Sequence, residues 1–227
     1  MKYQIIFLLT LSLMVSVALA DEPVSFSTQW IPDKPQMMTY SSVDKYGDQL
    51  YQVSIYRMDD NFEIYINIIS NGFTKTVSGT FNSTMYPLQS SAKIIVNGQI
   101  VMDTKCSYAS NNLIISTLMS PYNTTMAQNF EIDQRIIDFS QIPILVRTIT
   151  LAKDSEYTFT SLDPKTNTLV PLSIKVNGEG KAQDIDCYIV EVNDFEGKSI
   201  YWVEKDFQHR VIRVEQPESQ RTVELIQ

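Results

Sequence analysis

The sequence predicts a mainly β protein: a single curved antiparallel sheet, a half-barrel or β-roll meander, with one short helix packed on it. Three observations predict it. Apolar residues recur with period two, as in Phe62, Ile64, Ile66 and Ile68 set between Glu63, Tyr65 and Asn67, and again in Ile100, Met102, Thr104, Cys106 and Tyr108. Alternation of this kind turns one face of a strand to a core and the other to water. Asn71-Gly72, Asn97-Gly98 and Asn177-Gly178 each separate two extended runs, and Asn-Gly suits a two-residue hairpin whose central positions both need positive φ. The chain has 227 residues, 44% of them hydrophobic and 19% charged, enough to bury one core without staples or metals.

In chain order, residues 1–20 read as an address. Lys2 is followed by an uncharged apolar run over 5–20 that ends Ala18-Leu19-Ala20, just before acidic Asp21-Glu22. This is the pattern of a secretory signal peptide cleaved between Ala20 and Asp21. The run is shorter than the roughly 20 residues that span a bilayer, and no later stretch is apolar enough, so no transmembrane anchor is expected in the mature chain. Residues 21–227 read as a single β-rich domain, undivided by linker, repeat or charge block. Residues 123–137 fit strand or loop. Ser140-Gln141-Ile142-Pro143 offers an N-cap serine and a first-turn proline, which predicts a short helix through Ile149. A strand at 156–161, the turn Asp163-Pro164-Lys165-Thr166-Asn167 and an alternating run Val170, Leu172, Ile174, Val176 follow. Strands at 186–193, 199–204, 209–215 and 221–226 have short connections, so they should pair in sequence order and form the end of the sheet.

The segment Tyr201-Trp202-Val203-Glu204-Lys205, with His209-Arg210-Val211-Ile212-Arg213-Val214-Glu215-Gln216-Pro217, resembles the C-terminal signature of a bacterial family of exported proteins of unknown function. Leu145-Val146-Arg147, Val176-Asn177-Gly178-Glu179-Gly180 and Asp184-Ile185-Asp186-Cys187-Tyr188 occur there in similar order. The resemblance covers roughly the last 90 to 130 residues and thins toward the N-terminus. It implies a curved domain similar to the half-barrel of the periplasmic lipoprotein carriers, with a concave sheet able to hold something apolar. The family has no assigned activity, so Tyr201, Trp202, Lys205, Arg210, Arg213 and Glu215 read as structural.

Composition narrows the function classes. Lys and Arg number 18 against 26 Asp and Glu, a net charge of −8, which argues against a nucleic-acid backbone as partner. His209 is the only histidine. A zinc site would therefore need Cys106, Cys187 and His209 to converge without ligand spacing, and a serine triad through His209 would lack a Gly-x-Ser-x-Gly elbow. His209 reads as an exposed imidazole at a strand start. The pairs Asp59-Asp60, Asp184/Asp186 and Asp154/Glu156 read as solvated turn charge, and Gly178-Glu179-Gly180 precedes no helix to cradle a phosphate. Asn82-Ser83-Thr84 and Asn123-Thr124-Thr125 match the glycosylation acceptor pattern, a coincidence in a bacterial protein. Cys106 and Cys187 are the only cysteines. Export permits a disulfide between them, one closing a long loop worth about 4 kcal/mol; two separate buried thiols are the other reading.

The expectation is an exported, periplasmic or secreted, non-enzymatic protein with no cofactor. It would hold a hydrophobic or lipid-like ligand on a concave sheet, or else serve as a structural or assembly protein with a cell-envelope partner. An aromatic-lined concavity and plain sheet packing both account for its 12 Tyr, 10 Phe and 2 Trp. An apolar interior left unfilled would favour the carrier, and an apolar patch outside the assembly protein.

Overall fold

The computed structural model describes residues 24–44, 47–120, 124–132 and 136–226; the signal segment, with Ala20 and Asp21, lies outside them. Strands make up 67% of these residues and form one open sheet of 15 strands. The first half is a plain meander: β1 (Gln36–Asp44), β2 (Gly47–Met58), β3 (Asn61–Ser70), β4 (Phe73–Asn82), β5 (Pro87–Val96), β6 (Gln99–Ala109), β7 (Asn112–Met119) and β8 (Thr124–Glu131). After β9 (Ile136–Ile137) come a 3₁₀ turn at Phe139–Gln141 and helix α1 (Ile142–Thr148). The second meander is β10 (Glu156–Asp163), β11 (Thr168–Ala182), β12 (Ile185–Asp194), β13 (Gly197–Glu204), β14 (Val211–Gln216) and β15 (Arg221–Leu225).

The period-two residues face the core as expected, except Ile100 at the start of β6, which is 40% exposed. Phe62 and Ile64 are 1% and 2% exposed while Tyr65 is 45% exposed, and Leu172, Ile174 and Val176 are fully buried. Asn97-Gly98 turns between β5 and β6 with both φ positive, 49° and 79°, whereas at Asn71-Gly72 only Gly72 is positive, at 71°. Asn177-Gly178 corrects the hairpin expectation. Strand β11 runs straight through it, and the ladder with β12 shifts register there. Asn177 is the extra residue of a β-bulge, and Gly178 takes the φ of 151° that the bulge requires.

The C-terminal strands pair in order but do not form the end of the sheet. Strand β15 pairs antiparallel with β1, Tyr40 opposite Leu225, so the two meanders join in the middle. The edges are β8 and β9, and β9 lies parallel to β10. The sheet also curls far over. Lys75 Nζ on β4 is 3.6 Å from Glu196 Oε1 in the β12–β13 turn, although a flat sheet would hold those strands roughly 30 Å apart at about 4.8 Å per step. Thr117 on β7 hydrogen-bonds Asn167, in the β10–β11 turn, at 3.3 Å.

The 3₁₀ turn and α1 pack inside this curl. The N-cap is Asp138, not Ser140: its carboxylate accepts from the Ser140 amide at 2.8 Å, while Gln141 Oε1 accepts from the Asp138 amide at 2.8 Å, a capping box. Asp138 also accepts from Ser90 Oγ at 2.6 Å and from the Tyr108 hydroxyl, so a fully buried carboxylate bolts β5 and β6 to the turn. Burial pushes its carboxyl upward against the pull of these hydroxyl donors. Gly79 on β4 allows the approach, because a Cβ there would lie 2.2 Å from Ser140 Oγ.

Candidate functional site

The concave face is incompletely filled. Between α1 and the inner faces of β1–β4 and β13–β15 lies a cavity of about 400 Å³, within the ~300–1,000 Å³ usual for small-molecule sites. Its walls are the alternating residues of the strands: Val53, Ile55, Ile64, Ile66, Ile68 and Val77 on one side, and Tyr201, Val211, Val214 and Val223 on the other. Phe139, Ile142, Pro143 and Ile144 roof it. Most of these positions point inward because they lie an even number of steps apart along a strand. Val211 and Val214 are three apart and share the face because the β13–β14 ladder shifts register, leaving Ile212 as an extra residue on the outside.

One end is polar. Lys75 and Lys165 stand 3.6 and 3.5 Å from the Glu196 carboxylate, and Asp194, Gln49 and Gln216 lie beside them. Burial works against ionisation of Glu196, yet the two ammonium groups prevail and hold its carboxyl below the usual range. Burial raises Asp194 from 3.8 to about 6, with the Glu196 charge adding to the rise.

At the other end of β13, under the β13–β14 turn, sits Arg147 of α1. It is 5% exposed. Its Nε donates to the His209 carbonyl at 2.9 Å, Nη2 donates to the Gln208 carbonyl at 2.8 Å, and the guanidinium lies 3.6 Å over the Trp30 ring. Burial lowers its pKa to about 10, which still leaves it charged at neutral pH.

The predicted residues divide between the two faces. Tyr201 lines the cavity, whereas its neighbour Trp202 turns outward into a small cluster with Ala182, Cys187 and Ile212. Gly180 makes room for that indole, since a Cβ there would meet Trp202 Cζ3 at 2.9 Å. Arg210 grips both carboxylate oxygens of Glu204 at 2.6 and 3.0 Å. Arg213 pairs with Glu224 at 2.6 Å and with Glu215 at 3.6 Å, and Lys205 pairs with Glu179. Cys106 belongs to the main core and Cys187 to the outer cluster; both are free thiols. His209 lies in the turn before β14, half-buried with φ 46°, not exposed at a strand start. Among the described residues no group of three His, Cys, Asp or Glu is arranged to hold a metal, and no helix is long and apolar enough to cross a membrane.

The sequence assigns no site role to Arg147, which enters there only within Leu145-Val146-Arg147, or to the Glu196 cluster. A lone charge in the apolar run Ile142–Thr148 was the available signal for the first. The second depends on three turns and strands meeting across the curl. No family model matches the chain, and no curated protein matches it.

Proposed function

We propose that this is an exported, periplasmic carrier that binds a hydrophobic, lipid-like ligand in the concave cavity and performs no chemistry on it. One observation carries the reading: an apolar hollow of about 400 Å³ left unfilled between the sheet and α1. A sheet serving only as scaffold would be expected to close such a space, because each missing contact costs stability. The polar rim fits the same role, giving an entrance that water can wet while the interior stays dry. The half-barrel resemblance of roughly the last 90 to 130 residues points the same way.

Native mass spectrometry on protein isolated from the periplasm without detergent tests this. Extra mass that is lost on denaturation and extracts into organic solvent is the expected result. A bare chain that takes up neither added fatty acids nor phospholipids would overturn the proposal. The denatured mass reports in addition whether the chain begins at Asp21.

A second reading, an assembly protein of the cell envelope, rests on β8. That edge strand is exposed at every residue except Phe130, and Glu131 is its only charge, so it lacks the devices that usually blunt a sheet edge. Crosslinking from β8 to an envelope protein supports this reading; a clean monomer with bound lipid opposes it.

A further inference from the structure

The carrier reading, on which this inference rests, can be taken to a ligand class. An arginine as buried as Arg147 ordinarily has a carboxylate partner, because its charge has left water. Among the described residues, none lies within ion-pair distance of it. Glu204 is engaged by Arg210, and Asp206 Oδ1 accepts from the Gln208 and His209 amides at 2.9 and 3.2 Å. Two of the five N–H donors of Arg147 reach backbone carbonyls, but Nη1 reaches only the Met38 sulfur, at 3.7 Å. The Tyr40 hydroxyl turns to the same sulfur at 3.5 Å. Two strong donors therefore converge on a thioether, a weak acceptor, and Met38, Tyr40 and Arg147 all line the cavity.

We propose that the cavity takes a single-chain amphiphile with a carboxylate head, and that Arg147 and Tyr40 hold that head. The carboxylate replaces the Met38 sulfur as their acceptor, and the unbranched Met38 side chain moves aside at low cost. Trp30 covers one face of the guanidinium and the His209 and Gln208 carbonyls take Nε and Nη2, which leaves Nη1 for the ligand. The chain then runs along Val53, Ile66 and Val77 toward the rim. The opposite orientation is poorer, since Lys75 and Lys165 already share Glu196, Asp194 adds negative charge beside them, and Arg221, which also lines the cavity, already donates to the Tyr51 hydroxyl at 3.2 Å.

The test uses the delipidated protein and displacement of N-phenyl-1-naphthylamine by hexadecanoate and by 1-hexadecanol, which share a chain and differ in the head. Hexadecanoate should bind at least about tenfold more tightly, the worth of one charge-assisted head contact. Arg147→Gln should remove that preference. Arg213→Gln, on the outer face, should keep the preference. Equal binding of the two probes by the unaltered protein overturns the head assignment and leaves the carrier reading standing. Binding of neither overturns the carrier reading itself. A preference that survives Arg147→Gln also overturns the assignment. Should Arg147→Gln not fold, Tyr40→Phe must lower the preference by about threefold, the loss of one hydroxyl donor, and an unchanged preference there overturns it as well.

Discussion

Gly79→Ala probes how the roof of the cavity is attached. The added methyl would lie 2.2 Å from Ser140 Oγ and 3.0 Å from Ser140 Cβ, so rotating the hydroxyl does not relieve the clash. The 3₁₀ turn must lift, or β4 must bend. Overpacking of this kind costs roughly 1–3 kcal/mol. Displacing Ser140 Oγ from the buried Asp138 carboxylate, 2.5 Å away, adds roughly 1.5–3 kcal/mol. A total of about 2.5–6 kcal/mol should lower Tm by roughly 5–24 °C for a chain of this size. Urea denaturation should show a lower midpoint with an unchanged slope. Ser140→Gly removes two of the three close atoms, leaving Phe81 Cε1 at 3.0 Å, so the double variant should lose less than the sum of the two single changes, by at least about 1 kcal/mol. Additive losses, or a Gly79→Ala protein as stable as the parent, would refute the steric account.

Three further outcomes are expected. Val77→Phe projects a ring into the cavity from a residue only 5% exposed; it should weaken N-phenyl-1-naphthylamine binding by at least about tenfold while Tm moves by a few degrees at most, because the space is already empty. Unchanged dye binding would show that the dye sits elsewhere. Cys106 and Cys187 are buried, with the Cys106 thiol pushed up to about 12 by burial, so both should resist a thiol reagent in the native protein and react fully in guanidinium; a denatured mass short by two hydrogens would refute free thiols. Asp194 has its folded pKa raised from 3.8 to about 6 by burial, so its contribution to stability is full below about pH 4 and is lost as the pH rises through about 6. Asp194→Asn should therefore match the parent at pH 4 and exceed it at pH 7 in thermal denaturation, and a pH-independent difference would discount the titration.

Local pattern made much of the fold legible. Phe62, Ile64 and Ile66, and Leu172, Ile174 and Val176, face inward because period two is a property of the extended chain itself. Asn177-Gly178 misled for a physical reason: positive φ at glycine serves a bulge as well as a turn, and only the partner strand decides which. Asp138 and Gln141 stand at capping-box spacing, but Ser140 ahead of Pro143 made an equally good local cap, and the choice lay with Ser90 and Tyr108 on distant strands. The pairing of β1 with β15 and the meeting of Lys75, Lys165 and Glu196 are long-range events with no local trace. Arg147 left one trace, its charge among Ile144, Leu145 and Val146, whereas its lack of a carboxylate partner is visible only in three dimensions.

The seam between β1 and β15 bears on how the protein comes to be made. Strand β1 acquires its second neighbour only after nearly all the intervening chain has been synthesised, so the first meander carries a raw edge throughout its synthesis. Closing so long a loop is entropically late, and sheets dominated by distant pairings fold slowly. The nascent protein is therefore most prone to self-association just before its final strand arrives. Changes in the short segment Arg221–Leu225 should act first on yield and solubility, and only afterwards on the shape of the finished cavity.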